Sequence, residues 1–131
     1  MVVYGEGGVG KTTFAATAPR PIIADCENGS KYFGLRGIAA DVALIEKWDD
    51  MQEFMQIALT DNYDTVIIDP IGELMEKLIA YMRIRADSKL VQRDGNPTMA
   101  GWGRRKSTMR TFLHTNRDRR THHRIVAHHQ E

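Results

Sequence analysis

The sequence contains very little cysteine and no long apolar run. Cys26 is the single cysteine among 131 residues, which excludes an internal disulfide and is typical of proteins of the reducing cytosol. No apolar stretch approaches the ~20 residues that a membrane-spanning helix requires, and Met1 leads directly into an apolar strand pattern without a signal peptide. We therefore expect a cytoplasmic protein that forms one domain over residues 1–131 and does not contact a membrane.

A large net charge is also absent, because 18 lysines and arginines nearly balance 17 aspartates and glutamates. The two parts of the chain nevertheless differ in sign. Residues 1–80 hold 6 basic and 13 acidic side chains, whereas residues 81–131 hold 12 basic and 4 acidic ones. Such asymmetry is typical of a protein with a polyanion-binding surface, although ordinary solvated helix faces would produce the same count.

What the chain does contain is a glycine-rich segment between a short apolar strand and a helical run. The segment has the phosphate-binding pattern G-x-x-x-x-G-K-[ST] and comprises Gly5, Glu6, Gly7, Gly8, Val9, Gly10, Lys11, Thr12 and Thr13. Its glycines allow successive backbone N–H groups to surround phosphate oxygens, and the following helix adds the positive end of its dipole. Lys11 is expected to reach the β- and γ-phosphates and the Thr12 hydroxyl to bind Mg²⁺, so the sequence predicts a nucleotide site.

Apolar strands and amphipathic helices alternate along the rest of the chain. Strands are predicted at residues 1–4, 22–24, 42–45, 65–69 and 124–128. Helices are predicted up to about residue 17 and over 48–59, 71–82 and 101–117, with a loop over 86–100. In the last helix Trp102, Met109, Phe112 and Leu113 share one face. The alternation predicts an α/β fold with a parallel sheet and helices on both faces.

Asp69 ends the apolar strand over 65–69, so it should lie at the carboxyl edge of the sheet, where ligands of open α/β folds bind. A carboxylate at this position can hold Mg²⁺ opposite Thr12, which is the Walker B role. Asp69 could instead, or in addition, cap the next helix, with Pro70 at the first helical position.

Glu27 follows the second strand and should lie at the same edge. A carboxylate beside the γ-phosphate can orient the attacking water, so Glu27 is the candidate catalytic residue together with Lys11. The alternatives are that Glu27 is only a turn residue, or that Asp25 has the catalytic role; we favour Glu27.

The last strand ends in His128, His129 and Gln130, and one of these could sense the γ-phosphate through a hydrogen bond. A zinc site is disfavoured because adjacent strand residues point to opposite faces. The preceding helix contains the candidate DNA contacts, which are Arg104, Arg105, Lys106 and Arg110. Such cations could bind a nucleic-acid backbone or act as an arginine finger on a neighbouring subunit.

Several motifs together resemble the RecA-like ATPases. Ile22 to Gly29 is similar to a strand ending in D-x-E-G, Val66 to Asp69 to a Walker B strand, and Ile125 to Gln130 to a sensor strand. More specifically, the combination resembles the phage-encoded Sak-type ATPases of single-strand annealing and recombination. Further motifs of that group recur at Trp48-Asp49-Asp50, Tyr63 to Asp69 and Gly101-Trp102-Gly103. A GTPase is disfavoured because N-K-x-D is absent, and a partition ATPase because Glu6 replaces its signature lysine.

This resemblance implies a RecA-like P-loop NTPase fold in which the sensor strand lies between the Walker A and Walker B strands. It implies ATP and Mg²⁺ as cofactors, ATP hydrolysis assisted by Glu27, single-stranded DNA as a partner, a homo-oligomer, and location in the host cytoplasm if the protein is phage-encoded. Relatives usually continue past the sensor strand, so the last strand or strands are expected to be missing here. A small-molecule kinase and a non-catalytic nucleotide-binding module remain the alternatives.

Overall fold

The structure is a computed structural model of the whole chain. It describes residues 2–5, 10–29, 31, 34, 37–85, 92–94, 96, 98–118 and 124–130. Along these residues the strands are β1 (Val2–Gly5), β2 (Pro21–Asp25), β3 (Asp41–Leu44), β4 (Thr65–Asp69) and β5 (Arg124–Gln130). The helices are α1 (Lys11–Ala15), α2 (Trp48–Ala58), α3 (Ile71–Ile84) and α4 (Met99–Asp118).

The five strands form one sheet in the order β1-β5-β4-β2-β3, and every pair of neighbours is parallel. The prediction of a parallel sheet is therefore confirmed. The last strand lies between β1 and β4, as expected. Because all strands run the same way, their carboxyl ends meet at one edge of the sheet. The phosphate-binding loop follows β1 and therefore begins at this edge.

The core lies on both faces of the sheet, because β4 is buried on both sides. Val66 and Ile68 pack into a large apolar cluster with side chains of α2, α3 and α4, including Trp48 and Met109. Ile67 packs on the opposite face in a smaller cluster that includes Ala15 of α1 and Ile23. A continuous apolar strand such as β4 is typical of a parallel sheet covered by helices on both faces, and that prediction is confirmed.

Several predicted element bounds are wrong by a few residues. The helix α1 ends at Ala15 rather than near Thr17, and β5 continues to Gln130 rather than His128. The helix α4 begins at Met99, so the predicted loop over 86–100 is wrong at its last two positions. Residues 86–91, 95 and 97 of that loop lie outside the described residues.

The predicted apolar face of α4 is only partly correct. Met109 is buried, and Phe112 and Leu113 pack against the large cluster. Trp102 was predicted on the same face, yet 43% of it is exposed. Two helical turns separate Trp102 from Met109, and the apolar cluster that buries Met109 leaves the Trp102 side chain partly uncovered. In the described part of the chain, no helix is long and apolar enough to cross a membrane.

Candidate functional site

The beginning of α1 places Lys11, Thr12 and Thr13 of the phosphate-binding pattern at the carboxyl edge of the sheet. Gly10 precedes the helix as its N-cap, with φ 90° and ψ 23°, a left-handed conformation that glycine adopts without strain. Lys11 is only 8% exposed, whereas the Thr13 side chain is exposed. Gly5 ends β1, and the predicted phosphate contacts of residues 6–9 lie outside the described residues.

Thr12 and Asp69 come together across the sheet. The Thr12 hydroxyl donates a hydrogen bond to Oδ2 of Asp69 over 2.5 Å, although the residues are 57 positions apart. β1 and β4 are not neighbours, because β5 lies between them. The contact between Thr12 and Asp69 therefore brings the start of α1 and the end of β4 together across β5. The two side chains that the sequence proposed for Mg²⁺ therefore lie in direct contact.

The alternative that Asp69 caps α3 is wrong. Asp69 is the last residue of β4, and the N-cap of α3 is Pro70, which has no side-chain capping hydrogen bond. The carboxylate is directed to Thr12 instead. Asp69 is thus placed for a role at the nucleotide edge.

Two further carboxylates lie at the end of β2, which is the neighbour of β4. Asp25 is the last residue of the strand, and Glu27 follows two positions later. The Cys26 N–H donates to the backbone carbonyl of Asp69 over 2.8 Å and so extends the pairing of the two strands. Asp25 is 3% exposed, and its Oδ1 accepts hydrogen bonds from the N–H groups of Glu27 and Gly29 at 3.2 and 3.1 Å. Glu27 has an exposed side chain on this turn. The structure thus separates a buried carboxylate that organises the turn from an exposed one that can meet a ligand.

Cys26 lies in the large core cluster and is 3% exposed. Burial raises the pKa of its thiol to about 12, and only partial compensation comes from the nearby positive charge of Lys77. A thiol with such a pKa is protonated and unreactive at neutral pH. Cys26 is therefore a small buried residue of the core.

The predicted sensor residues belong to β5 rather than to a segment after it. His128 pairs with Val3, His129 with Tyr4 and Gln130 with Gly5 in the parallel register. Gln130 is therefore level with the first residue of the phosphate-binding pattern. No cluster of histidine, cysteine and carboxylate side chains with metal-binding geometry occurs among the residues that the structure describes.

The predicted DNA contacts lie on α4. Arg104, Lys106 and Arg110 are exposed, whereas Arg105 is half-buried. The Arg105 guanidinium carbon lies 4.0 Å from the centre of the Trp102 ring. Sequence reasoning missed this contact, although a spacing of three residues on a helix brings side chains together. Sequence reasoning also missed the role of Asp25 in forming the turn after β2, although the Asn28-Gly29 pair is a signal for a turn.

Comparison with known families identifies the chain. A family model described as an AAA domain matches residues 1–131. The chain belongs to the AAA domain family. No curated protein and no solved structure matched it. Membership in the AAA domain family points to nucleotide binding at the loop between β1 and α1, while the finer resemblance to Sak-type annealing proteins stays a prediction.

The donor set of this AAA domain fits the cation that accompanies a nucleotide. A hydroxyl and a carboxylate oxygen lie within 2.5 Å of each other at Thr12 and Asp69. Mg²⁺ prefers oxygen ligands and is commonly held by one or two side chains together with phosphates and water. A buried lysine next to this pair, Lys11, adds the positive charge that a polyphosphate needs.

Proposed function

We propose that this AAA domain protein binds ATP with Mg²⁺, hydrolyses it, and couples hydrolysis to single-stranded DNA. The observation that supports the ATPase most directly is the hydrogen bond between Thr12 and Asp69. It joins the end of the phosphate-binding pattern to the carboxylate at the end of β4, and this pairing is what a Mg-nucleotide site of the P-loop type requires.

The ligand-binding roles follow from position. The loop amides and Lys11 would hold the phosphates, and Thr12 and Asp69 would hold Mg²⁺. When bound, Mg²⁺ would neutralise charge on the β- and γ-phosphate oxygens. Lys11 starts α1 directly after the left-handed turn at Gly10, so its ammonium group and the helix N-terminus act on the same phosphates.

Glu27 is the proposed residue for water. Its exposed carboxylate follows β2, beside the end of β4, so it lies on the edge that holds Thr12 and Asp69. There it would accept a hydrogen bond from a water molecule and orient the water oxygen toward the γ-phosphorus. The water oxygen would form a bond to that phosphorus as the bond from the phosphorus to the leaving ADP oxygen breaks. The proton of the water would pass to a phosphate oxygen, and ADP and inorganic phosphate would be released.

The strand order supports the RecA-like variant of this fold. β5 lies between β1 and β4, and its Gln130 is level with Gly5. A polar residue at the end of such a central strand is suited to sense the γ-phosphate, which is the role we propose for Gln130 or one of its histidine neighbours. Because β5 is central, its movement would be transmitted to both neighbouring strands.

The DNA partner is proposed from α4. Arg104, Lys106 and Arg110 expose three positive charges on this helix, and such cations bind a phosphate backbone by displacing counterions. A homo-oligomer, in which an arginine of one copy reaches the nucleotide of the next, is the second part of this proposal.

The test is steady-state phosphate release from Mg-ATP with and without a single-stranded oligonucleotide. Lys11→Ala and Asp69→Asn are each expected to lower the rate about 100-fold or more, because the first removes a cation that stabilises negative charge on the phosphates and the second removes a charged ligand of Mg²⁺. Glu53→Gln is the matched control, since it neutralises an exposed carboxylate on α2 and should leave the rate unchanged. Stimulation by the oligonucleotide is expected only in the unmodified chain and in this control.

Other outcomes would contradict the proposal in different ways. Tight Mg-ATP binding without turnover at any protein concentration would identify a non-catalytic module. Transfer of the γ-phosphoryl group to a nucleoside monophosphate would identify a small-molecule kinase. An ATPase rate that single-stranded DNA does not change would retain the hydrolase and reject its coupling to DNA.

A further inference from the structure

Trp102 is a large aromatic side chain that the core leaves partly uncovered. It is 43% exposed, although Met109, two helical turns later on the same stripe of α4, is 5% exposed. Exposing an indole forgoes part of the stabilisation that its burial would give. An exposed tryptophan on the helix stripe whose Met109 and Leu113 are packed therefore marks a candidate contact surface.

Arg105 lies directly against this indole. Its guanidinium carbon is 4.0 Å from the ring centre, which is the geometry of a cation–π stack. The Nε atom of Arg105 is buried, and no residue in the described part of the chain accepts a hydrogen bond from it. Stacking thus holds the guanidinium against the Trp102 indole, and part of the indole surface remains exposed.

The surrounding surface is positive. Arg104, Lys106 and Arg110 are exposed on the same helix, and Asp118 is the only acidic residue between positions 99 and 118. A polyanion would therefore meet no like charge along most of α4. Positive side chains interleaved with an exposed aromatic are the combination that binds single strands, since cations contact phosphates and rings stack on bases.

We propose that Trp102 and Arg105 form a stacking site for an unpaired base of single-stranded DNA, whose phosphates lie on Lys106 and Arg110, four and eight residues after Trp102 on the same side of the helix. The inference rests on the DNA partner of the proposed function and adds the residue that distinguishes single strands from duplexes. Bases in a duplex have their faces covered by neighbouring pairs, whereas an unpaired base offers its face to the indole. Stacking tolerates any base, so the site selects strandedness and not sequence.

The two tryptophans make this site directly observable. Trp48 is 5% exposed and Trp102 is 43% exposed, and the chain has no other tryptophan. In a Trp48→Phe background the intrinsic fluorescence reports Trp102 alone. We expect a 20-nucleotide oligo(dT) to quench this fluorescence, and an abasic strand of equal length to bind through its phosphates without quenching it.

Affinity measurements give a second readout. Trp102→Ala is expected to weaken oligo(dT) binding by about 5- to 150-fold while changing abasic binding little, because it removes a stacked base but no charge. Lys106→Ala should weaken both ligands alike and reduce the salt dependence of binding by about one counterion. Met99→Ala is the matched control, because it truncates an exposed apolar side chain in the same turn and should change neither ligand.

The results separate this proposal from the proposed function. Equal quenching by oligo(dT) and the abasic strand, or oligo(dT) binding without quenching, would overturn the stacking site. Base-dependent quenching of Trp102, together with weaker oligo(dT) binding by Trp102→Ala, would support the stacking site even if DNA left the ATPase rate unchanged. That result would reject the coupling of hydrolysis to DNA and retain the stacking site. Failure of oligo(dT) to bind a preparation that hydrolyses ATP would reject the site and retain the hydrolase.

Discussion

The backbone N–H of Glu27 donates a hydrogen bond to the side-chain Oδ1 of Asp25 over 3.2 Å. The same oxygen accepts from the N–H of Gly29 at 3.1 Å, so one buried carboxylate fixes the turn that presents the exposed Glu27. Two acidic residues separated by a single position therefore have different tasks. Asp25 supports the backbone, and Glu27 is free to face a ligand at the carboxyl edge of the sheet.

This relationship predicts opposite consequences for two substitutions. Glu27→Gln should lower ATP hydrolysis about 100-fold or more without changing the denaturation midpoint, because an exposed side chain is altered. Asp25→Ala should lower the free energy of unfolding by about 1–3 kcal/mol, since two N–H groups lose their acceptor. Phosphate release and urea denaturation, measured on both variants, check the pair.

Nucleotide binding supplies the control for this pair. Glu27→Gln should bind Mg-ATP as the unmodified chain does, because water positioning is needed for hydrolysis and not for affinity. A Glu27→Gln variant that retains full activity, or one as destabilised as Asp25→Ala, would show that the roles assigned to the two carboxylates are wrong.

Thr65 is expected to tolerate replacement by an apolar isostere. Its side chain is fully buried at the start of β4, and its Oγ1 has no hydrogen-bond partner among the residues that the structure describes. Thr65→Val keeps the shape and the β-branched character while removing a desolvated hydroxyl, so it should raise the free energy of unfolding by about 1 kcal/mol. Urea denaturation checks this, with Thr60→Val as control because the Thr60 hydroxyl donates to the Ile57 carbonyl. A loss of stability in Thr65→Val would reveal an acceptor for the hydroxyl.

Cys26 should make stability decrease at alkaline pH. Burial raises the pKa of its thiol from the ordinary 9.0 to about 12. Between these values the unfolded chain has lost the proton while the folded chain retains it, so the folded state is disfavoured as pH rises from about 9 to about 12. Below pH 9 both states are protonated and the full stability is present.

Denaturation midpoints between pH 7 and pH 11 test this pH dependence. The denaturation midpoint of Cys26→Ala should decrease less steeply above pH 9 than that of the unmodified chain. A thiol reagent at pH 8 should label the unmodified chain only at the rate of opening or unfolding, and fast labelling would contradict the buried, protonated thiol.

Local sequence pattern was sufficient for much of the fold. The apolar run that ends at Asp69 and the helical periodicity after Pro70 predict β4 and α3 closely, because the hydrophobic period follows from which faces are covered. Helix ends were less predictable. The signal for the start of α4 was Thr98, whose hydroxyl accepts a hydrogen bond from the Gly101 N–H at 3.0 Å, but the Gly-Trp-Gly sequence suggested a later beginning.

Exposure at single positions was not predictable from periodicity. Trp102 and Met109 occupy the same helical stripe, yet one is exposed and the other buried, since burial depends on how far the neighbouring helices extend. The same holds for Asp25, whose carboxylate was an alternative to Glu27 on sequence grounds. Its distinct role depends on its being buried while the turn folds back onto it.

The sequence by itself determined the phosphate-binding pattern, the parallel α/β class and the residue types available at the candidate site. These features follow from local chemistry, because the conformational freedom of glycine and the hydrophobic period depend only on residues that are close in the sequence. Only the tertiary structure decided that Thr12 meets Asp69, that β5 separates their strands, and that Arg105 stacks on an exposed Trp102. Each of these depends on strand order and on the extent of packed layers, which long-range burial selects and no local pattern specifies.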